Sequence, residues 1–158
     1  MIGKLKTAQK YIEKGFKIQK NAGLTLDLSI YFWILSMVKF ELGEFNNAQD
    51  YAEETLRLSK EMNENHREGQ SKIWLGRIIG KKDPSQCNMA EEYILQGMNI
   101  LEQLRIKPCL AQGHLFLGEL YKNTGQEEMS ILNLKKAAEA FKEMGMNYWL
   151  AKSREVSD

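Results

Sequence analysis

A pattern of small and large residues returns along this chain every 40 to 42 positions. Three leucines occupy one place in the pattern, each followed by a small residue: Leu35-Ser36, Leu75-Gly76 and Leu117-Gly118. A second small position recurs with the same steps, at Ala8, Ala48, Ala90 and Ser130. Self-similarity at a fixed spacing of this size indicates an array of stacked supersecondary units, so the chain is predicted to be a repeat protein.

Each repeat is predicted to be a pair of antiparallel helices, called here the first and the second helix. In residues 111–144, apolar residues follow the 3.6-residue spacing of a buried helix face, then a turn at Gly125, then a second such face. The small residues after the leucines are expected to face the second small position, which lets the paired helices approach closely. The three leucines should be core residues, and truncating one to Ala should cost about 2–5 kcal/mol.

Further positions keep the same register in each helix type. The first helices align at the pairs Leu28-Ser29, Glu68-Gly69, Leu110-Ala111 and Leu150-Ala151. The second helices align at two more columns, Tyr11, Tyr51, Tyr93 and Asn133, and Gly15, Thr55, Gly97 and Ala137. Columns that hold across this many positions predict an all-α fold.

The columns resemble the tetratricopeptide repeat (TPR) over nearly the whole chain. The residues that carry the resemblance are Trp74-Leu75-Gly76, Leu117-Gly118, Tyr121, Gly125, Gly43, Ala48 and Ala90. The resemblance implies a right-handed α-α superhelix, a solenoid of helix pairs. The usual repeat is about 34 residues long, so the 40–42-residue spacing resembles longer-helix variants. The second repeat has two extra loop residues, where Asp83 is predicted to cap and Pro84 to open the next helix.

The predicted domain organisation is a single repeat domain over residues 1–158. It comprises a half repeat at 3–23, full repeats at 26–63, 66–105 and 108–145, and the stub of another first helix at 147–158. Thr25 or Asp27 is expected to cap the helix after the half repeat. We expect the chain to be a piece of a longer protein, with apolar surface at Leu5, Ile12 and Phe16 left exposed and self-association through the terminal helices.

Composition indicates an ordinary water-soluble chain. Hydrophobic residues make up 43% and charged residues 27%, and the net charge of +1 offers no strong field for nucleic acid or an anionic membrane. The first ten residues lack the apolar core of a signal peptide, and no apolar run is long enough to span a bilayer. We therefore expect a cytoplasmic protein with neither nucleic acid nor membrane as partner.

No catalytic, metal or cofactor constellation is recognisable. His66 and His114 fall in different repeats without ligand-spaced neighbours, and Cys87 and Cys109 lack metal-site spacing. Structural or solvated histidines and reduced thiols are the favoured interpretation, and no enzyme is predicted.

In tetratricopeptide arrays the first helices line a concave groove that holds a peptide or protein. By that resemblance the candidate groove residues are Ile30, Trp33, Met37, Phe40, Gln70, Arg77, Gln112, Glu119 and Lys122. The columns Met37/Arg77/Glu119 and Phe40/Gly80/Lys122 change chemistry between repeats, so they are predicted to be exposed, with Phe40 and Arg77 as anchors. The Trp33/Ile73/Leu115 column is always apolar, which fits helix packing at least as well as ligand contact.

Two narrower readings follow from resemblance. The carboxylate clamp of chaperone-tail-binding tetratricopeptide domains is not assembled, because its places include Trp33, Met37 and Ile73. The closing segment FKEMGMNYWLAKS resembles tetratricopeptide arms that follow ATPase modules in large bacterial signalling proteins. The first hypothesis is thus a protein- or peptide-binding scaffold, and the alternative is an intramolecular regulatory arm of a signalling ATPase or nucleotide cyclase.

Overall fold

The computed structural model describes residues 2–23 and 28–157, and within them the chain is helical, without a β-strand. Eight α-helices are present there: α1 (Ile2–Asn21), α2 (Leu28–Glu41), α3 (Phe45–Glu61), α4 (Asn65–Lys82), α5 (Cys87–Gln103), α6 (Lys107–Asn123), α7 (Glu127–Glu143) and α8 (Asn147–Ser157). Helices α2, α4, α6 and α8 are first helices, and α1, α3, α5 and α7 are second helices. The predicted all-α class is confirmed. The expected caps Thr25 and Asp27 lie outside the described residues.

Two compact units make up the chain, Met1–Arg67 and Glu68–Asp158. In the first unit, α2 pairs with α3 and α1 packs on α2. In the second unit, α6 pairs with α7 and contacts α5, while α8 packs on α7 and α6. A single domain over the whole chain stays a prediction.

The predicted close approach of paired helices is confirmed by backbone contacts at the small columns. The Ser36 hydroxyl donates a hydrogen bond of 2.7 Å to the Ala48 carbonyl oxygen, and the Ser130 hydroxyl donates one of 2.9 Å to the Gly118 carbonyl oxygen. The Gly76 backbone lies so close to α5 that a Cβ atom there would be 2.5 Å from the Ala90 carbonyl oxygen. The crossing at Ser36 therefore holds a hydroxymethyl group, whereas the one at Gly76 has room for a hydrogen atom only.

The core lies between the paired helices, as the leucine column predicts. Leu35, Leu75 and Leu117 are all buried, and in the second unit Trp74 and Phe116 are buried beside them. The Trp74 and Phe116 rings meet edge to face with their centres 5.5 Å apart. The large column therefore packs first helix against first helix inside this unit.

Helix α1 buries more of its apolar side than the sequence indicates. The prediction that Leu5, Ile12 and Phe16 are exposed is wrong, since all three are half-buried. Phe16 explains the difference, because its ring centre lies 5.9 Å from that of Tyr31 and 5.5 Å from that of Phe32 on α2.

The loop between α4 and α5 behaves as its sequence predicts. The Asp83 carboxylate accepts hydrogen bonds from the Ser85 amide at 3.0 Å and the Ser85 hydroxyl at 2.7 Å. Hydrogen bonds from Ser85 and Gln86 hold the pKa of this carboxyl below its ordinary value. Pro84 opens a single 3-10 turn, Pro84–Gln86, which leads directly into α5.

The turns from a second helix to the next first helix all use the left-handed backbone region. In each of these four turns one residue has a positive φ: 69° at Gly23, 56° at Asn63, 57° at Arg105 and 66° at Gly145. Glycine adopts this conformation without strain and asparagine tolerates it, whereas arginine carries a Cβ that clashes there. The backbone is therefore strained at Arg105, whereas the residues at the equivalent place in the other three turns adopt this conformation readily.

We expect Arg105→Gly to raise the free energy of unfolding by about 0.5–1 kcal/mol, because the relief of strain exceeds the entropy cost of glycine. Urea denaturation followed by circular dichroism measures the change. Arg105→Ala keeps the Cβ and should give no gain, so equal stabilisation by both variants would contradict the prediction.

Candidate functional site

The candidate residues of the first unit lie on α2 and are half-buried. Trp33 is held by Arg67, whose guanidinium carbon lies 5.3 Å from the centre of the indole ring. The indole N–H of Trp33 is buried and has no hydrogen-bond partner among the described residues. Phe40 meets Phe45 edge to face with ring centres 5.4 Å apart. Met37 and Phe40, predicted to be exposed, are therefore partly covered.

The centre of the candidate face in the second unit is an ion pair between α4 and α6. The Arg77 guanidinium donates two hydrogen bonds to the Glu119 carboxylate, Nε to Oε2 at 2.8 Å and Nη2 to Oε1 at 2.9 Å. The same guanidinium lies 5.1 Å from the Trp74 ring centre and 4.1 Å from that of Phe116. The Arg77 side chain is only 13% exposed and that of Glu119 24%.

The prediction that these columns are exposed is thus wrong at several places. Arg77 is sandwiched between a carboxylate and two aromatic rings, because its column faces the neighbouring first helix. Gly80 is buried, and a Cβ there would lie 2.7 Å from Leu120 Cδ1. Lys122 is exposed as predicted, and its ammonium donates to the Val156 carbonyl oxygen at 2.6 Å.

Two glutamines in one column follow on the same face of α4 and α6. Gln70 and Gln112 are both half-buried. The Gln70 Nε2 donates to Cys109 Sγ at 3.0 Å, while its Oε1 is buried without a hydrogen-bond partner within the described part of the chain. An acceptor without a partner is therefore buried at a predicted groove position.

The apolar column between these residues serves packing. Ile73 and Leu115 are buried, whereas Trp33 in the first unit is half-buried. The sequence left helix packing and ligand contact open for this column, and the burial of Ile73 and Leu115 favours packing for these two residues.

Two cavities lie along α7, and Lys122 is the predicted groove residue among those that line them. One, of about 460 Å³, is lined by residues of α7 together with Lys122 and Ser157, and its α7 wall contains Ile131, Leu134 and Ala138. The other, of about 360 Å³, lies between α6 and α7 beside His114 and Ala140. The signal that could have located the first is Ile131, a large apolar side chain that is 61% exposed.

Two titratable groups of the second unit, His114 and Tyr121, have structural partners. His114 Nδ1 lies 2.9 Å from Asn133 Oδ1, and the Tyr121 hydroxyl donates to the Glu91 carboxylate at 2.6 Å. Burial, with the hydrogen bond to Glu91, raises the pKa of Tyr121. Over residues 2–23 and 28–157, no three His, Cys, Asp or Glu side chains are grouped as a metal site, and no helix is long and apolar enough to cross a membrane.

The helix pair α6–α7 matches a known family. Residues 111–143 match the tetratricopeptide repeat family model. This stretch covers most of α6, all of α7, the Gly125 turn between them and the Gly118–Ser130 crossing. The resemblance to tetratricopeptide repeats is confirmed: the chain contains such a repeat, within an all-α fold of similar helix pairs.

Solved structures support the same fold. The crystal structure of BtubC (BKLC) from P. vanneervenii matches with a TM-score of 0.70 and 20% sequence identity, over 90% of this chain and 59% of that one. At this identity the likeness shows the fold alone, and this chain spans about three-fifths of that protein's length. No curated protein matches the sequence.

Proposed function

We propose that this chain is a non-enzymatic scaffold that binds a protein or peptide partner on its first helices. Tetratricopeptide repeats generally mediate protein–protein interactions, and residues 111–143 are such a repeat. In the second unit the proposed surface consists of the predicted residues on α4 and α6. In the first unit it consists of those on α2, centred on Trp33 and Phe40.

The observation that carries the proposal is the unused hydrogen-bonding capacity at predicted groove positions. In the second unit the buried Gln70 Oε1 has no partner among the described residues, and in the first unit the same holds for the Trp33 indole N–H. Buried polar atoms in native proteins are nearly always paired with protein or ordered water, and Gln19 Oε1, Arg67 Nε and Ser71 Oγ lack a partner among the described residues in the same way. With the side chains turned outward, a backbone N–H of a bound peptide would satisfy Gln70, and a carbonyl oxygen would satisfy Trp33.

The chemistry of the surface indicates what kind of segment it would accept. Gln112, and Gln70 once its side chain turns outward, would offer an amide donor and an acceptor, which suit the main chain of a peptide whatever its side chains. Exposed Lys122 adds one positive charge at the end of α6. Because Arg77 is paired with Glu119, Lys122 rather than Arg77 is the cationic group that we propose as an anchor in this unit.

We expect Gln70→Met to separate folding from binding. Methionine keeps the length of the side chain and removes both the unpaired acceptor and the hydrogen bond to Cys109 Sγ, so the two effects oppose each other and the free protein should be about as stable as wild type. A peptide selected from a random-sequence display library for binding to wild type should bind the variant about two- to tenfold more weakly. Isothermal titration beside a thermal melt measures both effects.

The matched control is Gln103→Met, an exposed glutamine at the end of α5, which should bind like wild type. If Gln70→Met binds like wild type while Ile131→Asp abolishes binding, the working surface is the cavity along α7. The first-helix proposal would then be wrong.

A further inference from the structure

The cavity between α6 and α7 beside His114, called here the His114 cavity, has a volume of about 360 Å³. One of its lining residues is Ala140. The same column contains a large aliphatic side chain in each of the other second helices, at Ile18, Leu58 and Ile100. Helix α7 thus has a methyl group where its equivalents have a branched side chain, and the lost volume leaves space at this place.

A second column loses volume next to the first. Asn133 stands where the other second helices have a tyrosine: Tyr11, Tyr51 and Tyr93. In the α2–α3 pair this tyrosine fills the surface between the helices, since the Tyr51 ring stacks on that of Phe32 with ring centres 6.0 Å apart. In the α6–α7 pair the equivalent residues are Asn133 and His114, which are in hydrogen-bond contact. This pair therefore lacks a phenol ring as well as an aliphatic side chain.

His114 offers one hydrogen-bonding atom to a bound group. The Asn133 Nδ2 donates to the Met129 carbonyl oxygen at 2.9 Å, which leaves its Oδ1 2.9 Å from His114 Nδ1. Because an amide oxygen only accepts, Nδ1 carries the hydrogen of the neutral ring and Nε2 is an acceptor. Nε2 has no hydrogen-bond partner among the described residues, and the side chain lines the cavity.

Charges of both signs surround this acceptor at the rim of the cavity. Lys107 on α6 and Lys136, Glu139 and Glu143 on α7 are all exposed lining residues. None of these four side chains forms an ion pair with another residue of the described chain. A bound segment with a carboxylate on one side and an ammonium on the other would complement this rim.

The helices that adjoin this pair leave the cavity open. Helix α6 contacts α5, and α8 packs on α7 and α6. Lys136 and Ala140 lie on the side of α7 opposite to Ile131 and Ala138, which line the other cavity together with Ser157 of α8. The stacking of α8 therefore uses a different side of α7 from the one that faces the His114 cavity.

We propose that the His114 cavity binds a tyrosine side chain of a partner protein. The phenol ring occupies the space that the tyrosine of the second helix fills in the α2–α3 pair, and its hydroxyl donates to His114 Nε2. Acidic and basic residues beside that tyrosine pair with the lysines and glutamates of the rim. The site is separate from the first-helix surface of the proposed function, and Gln70→Met should leave it unchanged.

The test begins with p-cresol, which is the tyrosine side chain without its backbone. Titration into the wild-type chain should shift the NMR signals of the Ala140 methyl group and the His114 ring to saturation. The matched probe is 4-methylanisole, which has the same ring but no hydroxyl hydrogen to donate. It should bind about five- to tenfold more weakly, because the acceptor on His114 is then left without its hydrogen bond.

Variants that restore the residues of the other second helices should fill the cavity. Ala140→Ile and Asn133→Tyr should each remove saturable p-cresol binding while circular dichroism shows the helical fold intact. Ala138→Ile makes the same change on the opposite side of α7 and should bind p-cresol like wild type. Wild type that does not bind p-cresol, equal affinity for the two probes, or binding that survives in both filled variants would each overturn the proposal.

A peptide experiment tests whether the ligand is a protein side chain. A blocked tripeptide with tyrosine between glutamate and lysine should compete with p-cresol, and the same peptide with phenylalanine should bind about five- to tenfold more weakly. Binding of p-cresol without binding of the tyrosine peptide would show a site for small phenols only, and the assignment to a partner protein would be wrong.

Discussion

Gly118→Leu should lower the free energy of unfolding by about 1–3 kcal/mol or more, because overpacking a helix crossing forces the backbones apart. A Cβ atom at Gly118 would already lie 2.6 Å from Leu134 Cγ and Cδ2. The Ser130 hydroxyl bonds to the carbonyl oxygen of the same glycine, so separating the helices also strains this hydrogen bond. Urea denaturation followed by circular dichroism gives the change.

A companion substitution at the equivalent crossing sharpens the argument. Gly76→Ala adds a single methyl group, which in an exposed helix would be favourable by about 1 kcal/mol. Here the methyl group would meet the Ala90 carbonyl oxygen at 2.5 Å, and backbone cannot rotate away as a side chain does. The variant should therefore be less stable than wild type.

Gly3→Ala is the matched control, since it makes the same change in α1 where nothing lies within 4 Å of the added atom. It should be neutral or stabilising. If Gly76→Ala and Gly118→Leu unfold at the same denaturant concentration as wild type, close helix approach does not contribute to stability as argued.

Glu119→Ala is expected to destabilise the second unit by about 1–3 kcal/mol. Removal of one partner from a fully buried ion pair costs about 3–5 kcal/mol, and the partial exposure of this pair reduces the figure. The Arg77 guanidinium would be left between the Trp74 and Phe116 rings without the carboxylate that accepts two of its N–H groups. Chemical denaturation measures the loss.

A double-mutant cycle with Arg77→Ala isolates the coupling, because the two residues contact each other directly. The surface pair Lys152–Glu155, with side chains 41% and 62% exposed, is the control, and Glu155→Ala should have little effect on stability. A Glu119→Ala variant as stable as wild type would show that the pair contributes nothing to the fold. Arg77 would then be available again as a binding anchor.

The repeat could be read from the sequence because its columns are set by contacts that recur at each helix pair. Leu75 and Leu117 are core residues, and the paired helices cross at Gly76 and Gly118. Each helix pair needs a large side chain at the first place and a small one at the second, so the same residue types recur. The turns were predictable for the same reason, since glycine or asparagine occupies five of the six left-handed positions among the described residues. Arg105 could not be recognised as such a position from its residue type.

The candidate surface was only partly predictable. Variation of chemistry along a column predicts exposure, which holds for Lys122 but not for Arg77. A column can vary in chemistry and still be covered when neighbouring helices vary together, as Arg77 and Glu119 do by pairing across α4 and α6.

The register of residues within helices was determined by the sequence alone. The tertiary structure alone decided which side chains face water and which pair with a neighbour. It also decided which polar atoms, such as Gln70 Oε1, are buried without a partner among the described residues. These properties depend on distances between helices, which no local sequence pattern encodes.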